Sequence, residues 1–408
     1  MKMLERSWQP SLAAVLAGAL WAPGLPASMA AEPAGPDRTG SRPARTARDE
    51  IDWDRARELY RRSQRGQTLS PEDRAYLERA KRARAEGRGP GRVSRPGRAP
   101  KAPPATARTG LVPLDQMTDK DTYKAEDGGL YGGGKNVPPP KHQKATQREL
   151  ARIAPLGRDG KPAPDGKVVL ISVGMSNTTQ EFSRLKAMAD RDAGKWSKLV
   201  IVDGAQGGQD AQRWSGPEMP AWQRLQQRLR QAGVTAEQVQ VAWIKHARMG
   251  PARFGEYPKH ARELMGHVRQ SLQIARRKFP NLRVAYLSSR IYAGYATTPL
   301  NPEPCAYESA FAVRRLILDQ ARGDAALNYD PAKGDVKAPL LLWGPYLWAD
   351  GLTPRRSDGL VWKREDLGGD GTHPSGSGRD KVARLLLSFL KTNPNARTWF
   401  RGPGAAAP

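Results

Sequence analysis

The chain has 408 residues, and 67 Lys and Arg against 41 Asp and Glu give it a formal net charge of +26. Its single cysteine, Cys305, excludes an internal disulfide bond and a cysteine-based metal site. The length exceeds that of a typical domain, and the strongly apolar stretches of strand length all lie after residue 165. We therefore expect one sizeable C-terminal domain preceded by appended segments, rather than two equal cores.

Residues 1–30 have the pattern of a secretory signal peptide. Lys2 and Arg6 precede an apolar run over residues 12–25, and small residues follow within 28–30. This pattern predicts an exported protein, located in the periplasm, at the cell surface or outside the cell after cleavage. The alternative is an uncleaved membrane anchor, although two prolines shorten the apolar run below the ~20 residues that a membrane span needs.

Two low-complexity linkers flank a predicted helical hairpin. Residues 31–49 and 87–115 are rich in Arg, Pro and Gly, and we expect them to be disordered. Residues 50–86 predict two helices separated at Gly66, with Ser70 as the N-cap of the second helix. This pair is too small to be stable alone unless it docks on another surface.

The positive charge is concentrated in residues 81–108, where nine Lys and Arg stand against one Glu. Such a segment is able to hold a protein on a polyanion or on the cell surface through phosphate or carboxylate groups. The alternative is a solvated linker without a partner. A nucleic-acid-binding protein is a further interpretation that rests on charge alone, and no aromatic residues interleave the charges as a single-strand platform requires.

Residues 116–164 form a Gly- and Pro-rich lead-in whose densest part spans 127–142. The glycines of this loop superficially resemble a phosphate-binding loop. Asn136 stands where a Ser or Thr would bind magnesium, and the prolines that follow are expected to prevent the helix whose N-terminus would hold a phosphate. We therefore expect no nucleotide binding here.

Between residues 165 and 395, apolar strands alternate with amphipathic helices. This order predicts an α/β fold with a five-stranded parallel sheet covered on both faces, whose ligands bind at the carboxyl ends of the strands. The predicted strands are 167–173, 198–203, 239–245, 282–288 and 339–343, and the predicted helices are 179–190, 217–231, 257–279, 305–322 and 376–392. Residues 396–408 are expected to form a flexible tail.

Two motifs lie at the expected carboxyl edge of the sheet. Ser176 follows the first strand in a turn that leads into a helix, where its hydroxyl and backbone N–H can both face a cleft. Asp370 and His373 stand on a Gly-rich loop before the last helix, at a spacing that lets the carboxylate accept the imidazole N–H. Judged singly, Ser176 is also explained as a helix-capping residue and the loop as a surface turn.

Together with the glycine-rich loop after the second strand, these motifs resemble the SGNH hydrolase superfamily. Residues 174–177, GMSN, are similar to the G-Q-S-N block of its carbohydrate-acetylesterase branch, which contains sialate O-acetylesterases and acetylxylan esterases. The resemblance covers about residues 167–392 and implies a flavodoxin-like three-layer α/β/α fold with a Ser-His-Asp triad. It also implies that the backbone N–H groups of Ser176 and Gly208 form the oxyanion hole.

One block departs from the superfamily pattern. After the third strand the superfamily places an Asn, or a Gln-Gly-Glu segment, whereas this chain has Lys245 and His246. Either side chain would donate to the oxyanion or bind an acidic substrate if it faced the site; alternatively, Lys245 ends its strand with its charge in solvent. Asn177 and Gln209, from the two matching blocks, are expected to contact the substrate.

The loop after the fourth strand contains Arg290 and Tyr292, which we expect to bind sugar by hydrogen bonding and stacking. Packing at the domain edge is the alternative for this loop. His260 and His267 are seven residues apart on a predicted helix, which does not suit one shared metal ion. We expect neither a metal nor another cofactor.

The sequence thus predicts a metal-independent esterase that acts on an acetylated or otherwise esterified carbohydrate. Ser176 would be the nucleophile, His373 the general base and Asp370 the partner that orients the imidazole. The alternative, motivated by the altered block after the third strand, is a catalytically impaired surface protein that keeps the fold to bind glycans.

Overall fold

The computed structural model describes residues 51–64, 67–85 and 108–403. The predicted signal peptide, the first linker and most of the basic segment lie outside these residues. The chain divides into two compact units, one ending at Val93 and one beginning at Ser94. None of the helices in the described ranges combines the length and the apolar character that crossing a bilayer requires.

The first unit contains a helical hairpin at the predicted position. Helix α1 (Trp53–Gln64) and helix α2 (Pro71–Ala85) pack through leucines from α1, α2 and the turn between them. The Oγ of Ser70 accepts the backbone N–H of Asp73 at 3.1 Å. This bond satisfies one free N–H at the start of α2, as the N-cap position before a proline predicts.

The second unit contains the remaining strands and α-helices. In chain order these are β1 (Thr122–Tyr123), β2 (Glu126–Asp127), α3 (Pro140–Ala151), β3 (Val168–Gly174), α4 (Ser176–Ala189), β4 (Leu199–Val202), α5 (Pro220–Gln231), β5 (Val239–Lys245), α6 (Lys259–Lys278), β6 (Val284–Ser288), α7 (Cys305–Arg322), β7 (Leu340–Trp343), α8 (Gly376–Thr392) and α9 (Arg397–Arg401). Strands β1 and β2 pair antiparallel as a short ribbon. The other five strands form one sheet.

The five-stranded sheet is parallel throughout, with the strand order β4-β3-β5-β6-β7. This is the flavodoxin-like order, in which the first strand of the sheet lies between the second and the third. The strands are almost entirely buried because helices cover both faces, with α4 packed against α8 and α6 against α7. The predicted α/β fold class is confirmed.

The strand order reverses at β3, and a crevice opens there at the carboxyl ends of the strands. β3 ends at Gly174, where a Cβ atom would lie 2.2 Å from the backbone oxygen of Lys245. Only glycine therefore allows β3 and β5 to approach this closely at their ends. Ser176 follows as the first residue of α4, and the junction between β3 and α4 therefore places it at this crevice.

The C-terminal segment corrects the prediction of a flexible tail over residues 396–408. Residues 397–401 form α9, and the side chains of Trp399 and Phe400 are buried in the core. The indole Nε1 of Trp399 donates to the hydroxyl of Tyr286 at 3.0 Å. Two large aromatic side chains bury enough apolar surface to order a short segment, and only residues 404–408 lie outside the described part.

The segment before the sheet also packs more closely than expected. The backbone N–H of Gly110 donates to Asp350 at 2.8 Å, and Leu114 is fully buried, so the predicted linker over 87–115 ends at least seven residues early. Helix α3 begins at Pro140, where the prolines were expected to prevent a helix. That expectation is wrong because the first helical position needs no N–H and favours the fixed φ of proline.

Candidate active site

Ser176 lies at the start of α4, directly after the turn that ends β3. The N-cap of this helix is Met175, in an extended conformation, so the Ser176 side chain does not cap the helix. Its Oγ instead forms a hydrogen bond with Nε2 of His373, at 2.7 Å. The interpretation of Ser176 as a capping residue is therefore wrong.

Ser176, His373 and Asp370 form a continuous chain of hydrogen bonds. Nδ1 of His373 lies 2.5 Å from Oδ2 of Asp370, on the side of the ring opposite Ser176. A carboxylate has no proton to donate, so the Nδ1–H donates to Asp370 and the unprotonated Nε2 accepts the Ser176 hydroxyl. This tautomer is the one in which the imidazole is able to take a proton from the serine.

The carboxylate of Asp370 is held in its ionised form by its neighbours. Burial alone would raise its pKa, but the hydrogen bond from the His373 ring and the backbone N–H groups of His373 and Thr372 outweigh that effect. These two N–H groups donate to Oδ1 at 3.0 and 3.1 Å. The pKa of Asp370 therefore lies far below the usual range of an aspartate, and the group stays charged at neutral pH.

Two predicted substrate-binding residues hold the histidine loop in place. The backbone carbonyl of Thr372 accepts a hydrogen bond from Nδ2 of Asn177 at 3.0 Å and one from Nη2 of Arg290 at 3.2 Å. Asn177 is the neighbour of Ser176 on α4, and Arg290 follows β6. These bonds fix the loop that carries His373 relative to Ser176, although both side chains also reach the wall of the pocket.

The backbone N–H groups of Ser176 and Gly208 are available to a ligand. Neither has an acceptor among the hydrogen bonds formed within residues 51–64, 67–85 and 108–403. Gly208 has φ +73, in the left-handed region, and both residues line the same pocket. The Ser176 N–H also stands at the positive end of the α4 dipole, which favours a negatively charged oxygen there.

The pocket at the carboxyl edge of the sheet has a volume of about 200 Å³. Ser176 and His373 form part of its wall, and the remaining polar wall comes from four loops. The polar side chains that line it belong to Ser176, Asn177, Asp210, Arg248, Arg290, Asn301, Thr372 and His373. The small volume suits a short acyl group at the serine, with the rest of a larger ligand outside.

Lys245 does not reach this pocket. Its Nζ is fully buried and contacts the carboxylate of Glu181 on α4, with 2.6 Å to Oε1. Burial lowers the pKa of Lys245 and raises that of Glu181, while the attraction between the two groups opposes both shifts. The prediction that Lys245 contacts substrate is wrong, since the last residue of a central strand lies inside the covered sheet.

Three further predicted contacts are also absent from the pocket wall. His246 is buried near Trp214, with ring centroids 6.3 Å apart, and burial lowers its pKa to about 3, so it is neutral. Tyr292 has no exposed surface and packs against Tyr295 and Trp348. Gln209 is buried within its loop and does not line the pocket. These three side chains were expected to bind substrate and instead belong to the interior.

The pocket contains residues that the sequence patterns did not single out. Arg248 lies three residues beyond the end of β5, and Asp210 lies two residues beyond Gly208. Asn301 comes from the long loop between β6 and α7, and its Oδ1 accepts Nε of Arg290 at 3.2 Å. Arg248 has a signal in its position after a strand end; Asn301 has none, because a loop of that length carries no periodic pattern.

A second, larger cavity of about 470 Å³ lies against α6 and α7, lined by residues that include Lys124 and Tyr257. Its lining residues include no serine, cysteine or histidine, so it lacks a hydroxyl–imidazole or thiol–imidazole pair like that of Ser176 and His373. Nearby, His260, Cys305 and Glu308 are the one described group of three that could hold a metal. Both carboxylate oxygens of Glu308 already have partners: Oε1 accepts an N–H from Nζ of Lys124 at 2.9 Å, and Oε2 lies 2.6 Å from Nε2 of His260.

No protein-family model matches this sequence, and no curated protein matches it. Among solved structures, the chain is similar to a Bacteroides fragilis protein provisionally described as an acylhydrolase (13% identity, TM-score 0.31, covering 61% of this chain and 96% of that one). It is also similar to a protein from Streptococcus pneumonia provisionally described as a platelet activating factor (11% identity, TM-score 0.29, covering 61% and 92%). A gut microbial diltiazem-metabolizing enzyme shares 14% identity, with a TM-score of 0.31 over 57% and 48% of the two chains. Values this low carry no argument about activity.

Proposed function

We propose that this protein is a serine ester hydrolase that acts through an acyl-enzyme. The observation that carries the proposal is the unbroken hydrogen-bond chain from Ser176 through His373 to Asp370, which opens into a pocket at the sheet edge. A serine hydroxyl is a weak nucleophile until a neighbouring base takes its proton, and this arrangement supplies that base and its orienting carboxylate.

The reaction follows from the positions of these groups. Oγ of Ser176 attacks the ester carbonyl carbon as its proton moves to Nε2 of His373, and the N–H groups of Ser176 and Gly208 stabilise the negative oxygen. When the tetrahedral intermediate collapses, the leaving alcohol takes the proton from Nε2. Water then attacks the acyl-enzyme by the same route, which releases the acid and restores the serine.

The finer features of the substrate and location rest on sequence patterns. The GMSN block and the glycine loop resemble carbohydrate acetylesterases of the SGNH superfamily, and the small pocket suits an acetyl group. We therefore propose a carbohydrate O-acetylesterase that is exported by its N-terminal signal pattern. The basic segment over 81–108 would hold it near an anionic surface.

A second candidate is a glycan-binding protein of the same fold without catalysis. The observation in its favour is the loop after β5, which has neither the Asn nor the Gln-Gly-Glu segment of the superfamily. This candidate predicts binding of acetylated glycans without release of acetate. Acetate release from an aryl acetate and from an acetylated polysaccharide separates the two.

The test of the proposed function is hydrolysis by purified protein and by two serine variants. Ser176→Ala should remove the activity, because the pocket lining contains no other serine and no cysteine, and Ser176 is the lining hydroxyl that His373 contacts. The matched control is Ser183→Ala, seven residues further along α4, whose hydroxyl donates to Asp203 at 2.6 Å rather than to the histidine. Equal turnover by Ser176→Ala and the wild type would refute the assignment.

A further inference from the structure

Arg248 presents an unusual guanidinium to the pocket. Its side chain is 4% exposed, yet the residue lines the cavity beside Ser176. Nη1 forms an ion pair with Asp210, and Nε is buried without any acceptor among the described residues. A buried donor without an acceptor is costly, and native structures rarely leave one without a function.

Asp210 uses only one corner of the guanidinium. On the edge formed by Nε and Nη2, Nε is buried without an acceptor, and Nη2, whose N–H bond runs parallel to that of Nε, donates to no residue in the part of the chain that the structure describes. Such an edge matches the two oxygens of a carboxylate in a paired geometry that a lysine cannot provide. The charge on Asp210 is itself compensated by Arg248 and by the N–H of Met249, at 3.1 Å.

The loop that carries Arg248 is hydrogen-bonded to the loop between β6 and α7. The carbonyl oxygen of Arg248 accepts Nδ2 of Asn301 at 3.2 Å, and the N–H of Gly250 donates to Leu300 at 2.8 Å. The guanidinium also stacks on the ring of Phe254, with 4.7 Å from Cζ to the centroid. A group fixed in this way loses little freedom when it binds a ligand, which favours recognition over a structural role alone.

The charges on the pocket wall also favour an anion. Two arginines, Arg248 and Arg290, stand against one carboxylate, Asp210. Arg290 points its guanidinium at Asn301 and at the carbonyl of Thr372, so it contributes charge but already has acceptors. Arg248 is therefore the group with free donors for a ligand.

Given the proposed ester hydrolase, we propose that Arg248 binds a carboxylate carried by the substrate, so that this enzyme prefers acidic esters to neutral ones. The carboxylate stands either on the alcohol part, as in an O-acetylated uronic acid, or on the acyl part, as in a hemiester of a dicarboxylic acid. In both cases the ester carbonyl lies at Ser176 while the carboxylate takes the Nε–Nη2 edge.

The experiment uses two matched pairs of esters and the purified protein. One pair is an O-acetylated methyl glucuronoside and its neutral methyl ester; the other is an aryl hemiglutarate and its neutral methyl ester. In at least one pair, kcat/KM for the acid should exceed that for its methyl ester about 10- to 100-fold, the range expected for hydrogen bonds to a charged group. The pair that shows the preference identifies which part of the substrate carries the carboxylate.

Three variants separate recognition by Arg248 from the general attraction of a basic protein for anions. Arg248→Gln should bring the acid preference close to one, and Arg248→Lys, which keeps a charge beside Asp210, should retain only a several-fold part of it. Arg253→Gln removes an equal charge from the same loop and the other contact with Phe254, but Arg253 lies outside the pocket. That control should keep the preference, and Arg248→Lys serves alone if Arg248→Gln does not fold.

The same pairs are titrated into Ser176→Ala by calorimetry, which measures recognition without turnover. The acid should bind at least ten-fold tighter than its methyl ester, and Arg248→Gln or Arg248→Lys in that background should reduce the difference. Selective binding without ester cleavage by the wild type would reject the proposed hydrolase and leave the carboxylate site standing. Equal handling of acid and methyl ester in both pairs, or a preference that survives in Arg248→Lys and Arg248→Gln, would overturn the inference.

Discussion

At the neighbouring ends of β3 and β5, the strand ends and the turns that follow them place polar side chains differently. Gly174 and Lys245 are paired in register at these ends. Lys245 is the last residue of β5 that pairs with β3, and its ammonium lies in the interior against Glu181. Ser176 lies two residues after Gly174, and Arg248 lies three residues after Lys245; both line the pocket. In this fold a strand-end side chain belongs to the core, and the chemistry lies in the turns that follow.

The largest expected effect comes from removing His373, the proposed base for Ser176 in the turns that line the pocket. His373→Ala should lower kcat about 10⁴-fold, because loss of a triad member leaves only binding and oxyanion stabilisation. The matched control is His267→Ala, whose ring contacts Ser215 and Glu263 and does not line the pocket. A steady-state assay on an aryl acetate measures both variants. An equal loss in the two would show that His373 has no special role.

The buried pair at the end of β5 gives the next largest effect, on stability rather than on turnover. Lys245→Met should lower the free energy of unfolding by about 3–5 kcal/mol, because it leaves the Glu181 carboxylate buried without its partner. Adding Glu181→Leu should recover most of that loss, since a matched apolar pair replaces the ions. Denaturant unfolding measures both. If Lys245 bound substrate, Lys245→Met would instead lower the activity and leave the free energy of unfolding unchanged.

The next prediction concerns Gly208, in the turn after β4, and its role in turnover. Gly208→Ala should lower kcat on the order of 10²-fold, because alanine disfavours φ +73 and the N–H would turn away from the oxyanion. A Cβ there meets no atom within 4 Å, so a steric clash would not explain the loss. Gly207→Ala is the control, since a Cβ at Gly207 is equally unobstructed and its φ is not in the left-handed region. Equal activity of the two variants would remove Gly208 from the oxyanion hole.

The smallest effect concerns pH and Asp370. Its pKa is lower in the folded protein than the value of ~3.9 in an unfolded chain. The ionised carboxylate therefore stabilises the fold above about pH 4, and that contribution is lost as the pH falls below this value. The difference in Tm between wild type and Asp370→Asn should shrink from pH 7 to pH 3. A difference that grows toward acid pH would contradict the hydrogen bonding described for Asp370.

The fold was predictable because its signal is local and repeated. Apolar strands of four to seven residues alternate with amphipathic helices from β3 to α8, and this pattern alone implies a covered parallel sheet. The order of the catalytic candidates along the chain was also readable, since Ser176 and His373 each stand two residues after a glycine and at or just before the start of a helix. The prolines before α3 misled because one residue type both ends and begins helices.

The direction of individual side chains was not predictable. Whether Lys245 faces a cleft or the core depends on Glu181, 64 residues away along the chain, and no local pattern encodes that pairing. The burial of Tyr292 and the order of Trp399 likewise depend on aromatic neighbours brought in by other elements. Asn301 entered the pocket from a loop without periodicity. Sequence patterns therefore located the edge of the site and missed its walls.

The central claim is that folding activates the hydroxyl of Ser176 through His373. The most direct measurement is reaction of the native protein with a fluorophosphonate, followed by mass spectrometry of the digested adduct. The account predicts one adduct, located on Ser176, formed much more slowly in His373→Ala and absent after denaturation. A folded wild-type protein that forms no adduct, or an adduct at Ser176 that forms equally fast without His373, would contradict it.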